Sequence, residues 1–125
     1  ISVSETDMPA VVITSNREQE LPTAFKGRCI YHYISFPDTE LMRNIVLKHY
    51  PDINDELLAT GLQIFYQLRD MRLERSPATR ELLNWLKYMR TFELDEANEK
   101  MAKMDGIGVL IKTKTDLEKV SRRFN

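Results

Sequence analysis

Asn16, Arg28 and Arg80 are the polar side chains whose positions could carry chemistry. Asn16 closes an unbroken apolar run, Ala10-Val-Val-Ile-Thr-Ser-Asn16. Such a run of β-branched residues predicts a strand buried on both faces, with its polar side chains delivered at its C-terminal edge. In open α/β sheets that edge is where ligands sit. Capping a turn is the simpler account of an Asn on residue type alone. Arg28 follows Gly27 and precedes a second extended segment, a place that an ordinary surface arginine could also hold. Arg80 falls in the first turn of a predicted helix, at the positive end of the helix dipole, where a cation is disfavoured unless an anion is near. Glu81 or Glu74 could equally satisfy it.

Other chemistries are excluded by what is missing. The sequence has no Gly-x-x-x-x-Gly-Lys-[Ser/Thr] phosphate loop, no Gly-x-Gly-x-x-Gly and no Gly-x-Ser-x-Gly. His32, His49 and Cys29 do not have metal-ligand spacing, so no metal site is expected. His32 reads as a sheet residue and His49 as a cation at a helix C-terminus. The acidic residues between 93 and 105 read as a solvated helix face. The methionines at 42, 71, 89, 101 and 104 read as core and rim fillers.

These side chains are positioned by a chain of 125 residues, 42% hydrophobic, with 18 basic against 19 acidic residues. That length supports one ordinary core. Nothing in this balanced charge argues for nucleic acid or an acidic membrane surface as partner, and neither is expected. A single cysteine rules out an internal disulfide framework and fits a reducing, cytoplasmic setting. No apolar run approaches membrane-spanning length, and residues 1–7 carry acids where a signal peptide would carry basic residues.

Along the chain, Ala10 to Thr14 is the first predicted strand. Leu21 to Lys26 is predicted as a short helix with Pro22 in its first turn, ended by Gly27. Cys29 to Phe36 alternates as a second strand, with Ile30, His32, Ile34 and Phe36 on one face. From Asp38 the 3.6-residue period takes over. Thr39 to His49 places Leu41, Ile45 and Val46 on one face, with Met42 beside them. Asn54 caps a helix of Asp55 to Met71, striped with Leu57, Leu58, Leu62, Phe65 and Leu68. Gly61 inside it is a weak point or a close contact with a neighbouring helix. Ser76-Pro77 predicts a cap and first residue for a helix to Arg90 that buries Leu82, Leu83, Leu86 and Met89, with Trp85 at its edge. Asp95 to Met104 is a charged helix, residues 105–108 a turn, and Val109 to Lys112 an extended run. Thr115-Asp-Leu-Glu118 reads as a capping box opening a last helix through Arg123. A pair of strands is marginal alone, so either the helices cover it or its other strands lie elsewhere.

Taken together, Val11-Val-Ile-Thr-Ser-Asn16, Glu20-Leu-Pro-Thr-Ala-Phe-Lys-Gly-Arg28-Cys, Tyr31-His-Tyr-Ile-Ser-Phe-Pro37 and Ser76-Pro-Ala-Thr-Arg-Glu-Leu-Leu-Asn-Trp-Leu86 resemble, in order and spacing, the second half of AAA+ ATPases of the MoxR-like branch. The resemblance continues into Gly106-Ile-Gly-Val-Leu-Ile-Lys112 and so covers nearly the whole chain. It implies a mainly α fold: residues 1–37 end an α/β sheet with two strands, and residues 38–125 form a small helical lid. It implies that Asn16 is the sensor 1 residue, which helps position the water attacking the γ-phosphate. It implies that Arg28 is the arginine finger reaching a neighbouring subunit's nucleotide, a role suited to a planar, always-charged guanidinium. Sensor 2 would lie at Ser76 to Arg80, at a helix N-terminus facing phosphate. Many MoxR-like sequences carry Arg directly after Ser-Pro, and here that residue is Ala78. Arg80 comes first as its replacement, then Arg75, then no working sensor 2 at all.

The family's Walker A and B motifs belong upstream of Ile1. The chain therefore resembles a piece of an ATPase that uses ATP and Mg²⁺ in a homo-oligomeric ring to remodel a protein client. The piece itself is expected to hold no cofactor and to be inactive alone. The competing reading from another class is a stand-alone helical protein-interaction module. A nucleic-acid binder comes third: Lys112 to Arg123 is basic, but Asp116 and Glu118 interrupt it. An uncovered strand edge at Ala10 to Thr14 would favour self-association.

Overall fold

The computed structural model describes residues 7–15 and 21–124. The chain divides into two compact units, Ile1–Ser35 and Phe36–Asn125. In the first, the regular element that the described residues show in full is the short helix α1, Thr23–Lys26, which buries no side chain. Neither predicted strand, Ala10 to Thr14 or Cys29 to Phe36, takes up sheet pairing among the described residues. Val11, Val12, Ile13, Ile30 and Ile34 are all exposed, Val12 at 86%. A strand needs a partner's backbone groups and an apolar surface to cover its faces, and the described residues of this unit supply neither.

The second unit is mainly helical: α2 Thr39–His49, α3 Asp55–Arg69, α4 Thr79–Met89, α5 Leu94–Ala102 and α6 Lys114–Phe124. Asp38 caps α2 by accepting the Leu41 N–H at 2.9 Å, and Asn54 caps α3 by accepting from Glu56 and Leu57. These caps satisfy N–H groups that a helix start leaves unpaired. The stripe on α3 is the predicted one, with Leu57, Leu58, Leu62, Phe65 and Leu68 buried. Gly61 is buried with them because α3 and its neighbours meet there. A Cβ on Gly61 would stand 2.8 Å from Leu86 Cδ2 and 3.5 Å from Met101 Cε.

Four predicted details are corrected. On α2 the buried pair is Met42 and Val46, while Leu41 is 52% exposed. On α4 Trp85 lies in the centre of the core, its indole N–H donating to the Asp105 carbonyl at 3.2 Å, and Leu83 moves to the rim. Burying Trp with its N–H paired contributes the largest apolar surface available to one side chain. Val109 to Lys112 is not extended. Gly106, at φ 72°, leads into a 3-10 turn at Ile107–Val109, and Leu110 and Ile111 are buried behind it. That left-handed backbone suits glycine, and a Cβ there would also press on the Tyr88 ring at 3.0 Å.

The fourth correction concerns helix starts. α4 opens at Thr79 and not at Pro77, because the Pro77 carbonyl accepts from Arg69 Nη1 at 2.6 Å. Glu81 reaches back to the Ala78 N–H at 3.1 Å, half of a capping box, since Ala78 has no side-chain oxygen to return the bond. α6 opens at Lys114, with Thr113 Oγ1 accepting the Asp116 N–H at 3.1 Å. The predicted box at Thr115 to Glu118 is displaced, and the Asp116 carboxylate is used elsewhere.

Candidate functional site

The predicted site residues that the structure brings into one region are Arg75 and Arg80, in and just after the connection from α3 to α4. This connection runs from Asp70 to Ala78 and turns sharply at Arg72, whose φ is 55°. A residue with a Cβ adopts that left-handed conformation only where its surroundings hold it there. The holding is done by side chains. Asp116, 1% exposed, accepts the Glu74 N–H at 2.9 Å and the Arg75 N–H at 3.0 Å, one on each oxygen. Lys119 Nζ donates to the Arg72 carbonyl at 3.2 Å. Arg69 donates to the Pro77 carbonyl from the other side.

Burial pushes the Asp116 carboxyl upward, but the Arg75 and Glu74 amides, Thr113 and the charge of Lys119 outweigh it and hold the group below the usual 3.8. Hydrogen bonds to the charged form of a carboxylate act in this direction. The carboxylate is therefore ionised at neutral pH, and its charge is spent on backbone amides.

Arg69 is the arginine that sequence reasoning missed. Its guanidinium carbon lies 3.4 Å from the centroid of the Phe36 ring, and its Nη1 holds Pro77. Beside it, Tyr66 donates its hydroxyl to the Pro37 carbonyl at 2.6 Å. Burial, the leading cause, lowers the Arg69 pKa from its ordinary value and raises that of Tyr66. Phe65, Tyr66 and Arg69 fall within one turn of α3. The i, i+3 and i, i+4 spacing from Tyr66 and Phe65 to Arg69 was the signal available, but a single arginine at a helix end does not announce two tertiary partners.

Arg75 and Arg80 have exposed side chains, Arg80 as the second residue of α4. Glu81 is occupied at the helix start, and among the described residues Arg80 makes no ion pair. Both arginines thus present a permanent charge to solvent, and Arg80 does so in the first turn of α4, where the helix N-terminus could also meet an anion. Arg28 belongs to the first unit, exposed in the turn after α1. Asn16 lies outside the described residues.

Elsewhere in the second unit, a shallow apolar cleft between α2 and α3 is lined by Thr39, Arg43, Ala59, Leu62 and Tyr66. A more polar one lies by Glu99, Lys100, Lys103, Asp105 and Gly106. There the Lys100–Asp105 pair at 3.1 Å and the Lys103–Glu99 pair at 2.7 Å neutralise the charges against each other. Among the described residues no group of His, Cys, Asp and Glu is placed to hold a metal ion, and no helix is long and apolar enough to cross a membrane. Comparison with protein-family models, curated proteins and solved structures gives no match.

Proposed function

We propose that this chain carries the last strands of the large domain and the helical lid of a MoxR-like AAA+ ATPase, in which ATP binding and hydrolysis drive the remodelling or assembly of protein partners. The observation that carries the reading is the order and spacing of the motifs from Val11 to Lys112. Two features of the structure support it. Apolar segments of the first unit stand uncovered, as strands parted from their sheet would. The second unit is a helical body with a core of its own, beginning at Phe36.

In this reading ATP and Mg²⁺ belong to the parent protein. The residues of this chain that would meet the nucleotide are Asn16 and its arginines. Arg80, or Arg75 behind it, would put positive charge against the nucleotide phosphates from the lid. Arg28 would do so across a subunit boundary in a homo-oligomeric ring. The setting would be cytoplasmic, and the client a protein of unspecified identity.

The self-contained core of residues 36–125 also favours the second reading, a helical protein-interaction module. The gene sequence upstream of Ile1 separates the two: Walker A and B motifs there decide for the ATPase, and their absence for the module. In a full-length protein carrying those motifs, Arg28→Ala is expected to abolish turnover while ATP binding persists. Loss of binding alone would remove Arg28 as a finger. The isolated chain should release no phosphate from ATP in a malachite-green assay.

A further inference from the structure

The α3–α4 connection is fixed from two independent sides. From α6, Lys119 holds the carbonyl of Arg72, and Asp116 holds the amides of Glu74 and Arg75. From α3, Arg69 holds the carbonyl of Pro77. The conformation so fixed includes the left-handed Arg72, which would not persist in a free loop. Although α6 supplies these bonds, it is itself lightly anchored. Its buried residues are Asp116 and Val120, while Leu117 and Phe124 stay partly in solvent. An element with so little buried apolar surface opens locally at lower free energy than the core it rests on.

We propose that α6 is a detachable latch on the α3–α4 connection. With Asp116 seated, residues 72–76 are locked. When α6 lifts away, that stretch is released, while Pro77 and α4 stay held through Arg69. The device therefore treats the two exposed arginines differently. Arg75 changes from fixed to mobile, and Arg80, on α4, keeps its place. The latch does not rest on the ATPase reading. If that reading holds, α6 sets the availability of Arg75 to the nucleotide and leaves Arg80 constant.

Amide hydrogen exchange followed by NMR on the 125-residue chain tests this without any ligand. In Asp116→Ala the Glu74 and Arg75 amides are expected to exchange about tenfold faster or more, having lost a charged acceptor. Amides of Leu62, Phe65 and Leu86 should hold their rates. Asp116→Asn keeps one acceptor oxygen in place and should restore part of the protection. Arg69→Ala should leave the Glu74 and Arg75 amides protected. Unchanged Glu74 and Arg75 amides in Asp116→Ala would overturn the latch, and so would acceleration of the core amides in the same proportion.

The wild-type chain in low urea gives a measurement that needs no variant. The amides of α6, Glu74 and Arg75 should lose protection together, ahead of α3 and α4. If they are lost only with the whole bundle, α6 is part of one cooperative unit and there is no latch.

Discussion

Val12 and Val46 are the same residue type in opposite circumstances: Val12, within residues 1–35, is 86% exposed, and Val46, in the unit that begins at Phe36, is fully buried. The contrast extends to the neighbours of each. Val11 and Ile13 share the exposure of Val12, whereas Val46 lies with Met42, Phe65, Leu82, Trp85 and Leu86 in one core. A β-branched apolar run makes a strand only when other chain covers it, but an amphipathic helix brings its own hydrogen bonds and needs only one face covered. Helices can therefore assemble into a finished body from a short length of sequence, and isolated strands cannot.

Substitutions in the two regions should sharpen that contrast. Trp85→Ala should remove about 3–5 kcal/mol from the unfolding free energy, the loss seen when a buried aromatic leaves a cavity. Urea denaturation followed by far-UV circular dichroism reads it, and a loss below about 1 kcal/mol would place Trp85 outside the working core.

Arg69→Ala comes next, at about 2 kcal/mol, since it removes a charged hydrogen bond to Pro77 and the stacking on Phe36. Thermal melts of Arg69→Ala and Arg69→Lys separate the parts. The lysine should recover little, because a compact ammonium cannot stack on the ring and hold the carbonyl at once.

Asn54→Ala should cost about 1 kcal/mol through the two amides left without their acceptor at the start of α3. Smaller still is the acid dependence from Asp116, whose folded pKa is lowered. Its contribution is present above the ordinary carboxylate value of 3.8 and is lost as pH falls through the folded value. The groups that face its carboxylate are the Glu74 and Arg75 amides, Thr113 and the charge of Lys119. Melting temperature against pH should therefore fall less steeply below pH 3.8 in Asp116→Asn than in the wild type. Equal slopes would mean that the carboxylate adds nothing.

Val12→Ser should stay within about 0.5 kcal/mol of the wild type, as surface changes do. A larger loss would show that Val12 is covered in solution, and the contrast between the units would fail.

The α3 stripe and its Asn54 cap were legible in the sequence because period and cap are local properties of consecutive residues. The starts of α4 and α6 were not, since tertiary bonds decide them: Arg69 takes the Pro77 carbonyl, and Asp116 turns to Glu74 and Arg75. Trp85 was misplaced for a similar reason. Its partner, the Asp105 carbonyl, is brought to it by a turn built on Gly106, and helical periodicity contains no information about that turn. Within the candidate site, Arg75 and Arg80 could be named from sequence, but what fixes the loop between them could not. Asn16 falls outside the described residues.

Trp85 is also the only tryptophan in the chain, wholly buried and hydrogen-bonded through its indole. Its fluorescence is therefore a built-in probe confined to the helical unit. An indole held out of water emits at shorter wavelength than one in solvent, so a red shift on denaturation records the opening of residues 36–125 alone. Comparing that signal with circular dichroism, to which every helix contributes, distinguishes a bundle that melts in one step from one that sheds a helix first.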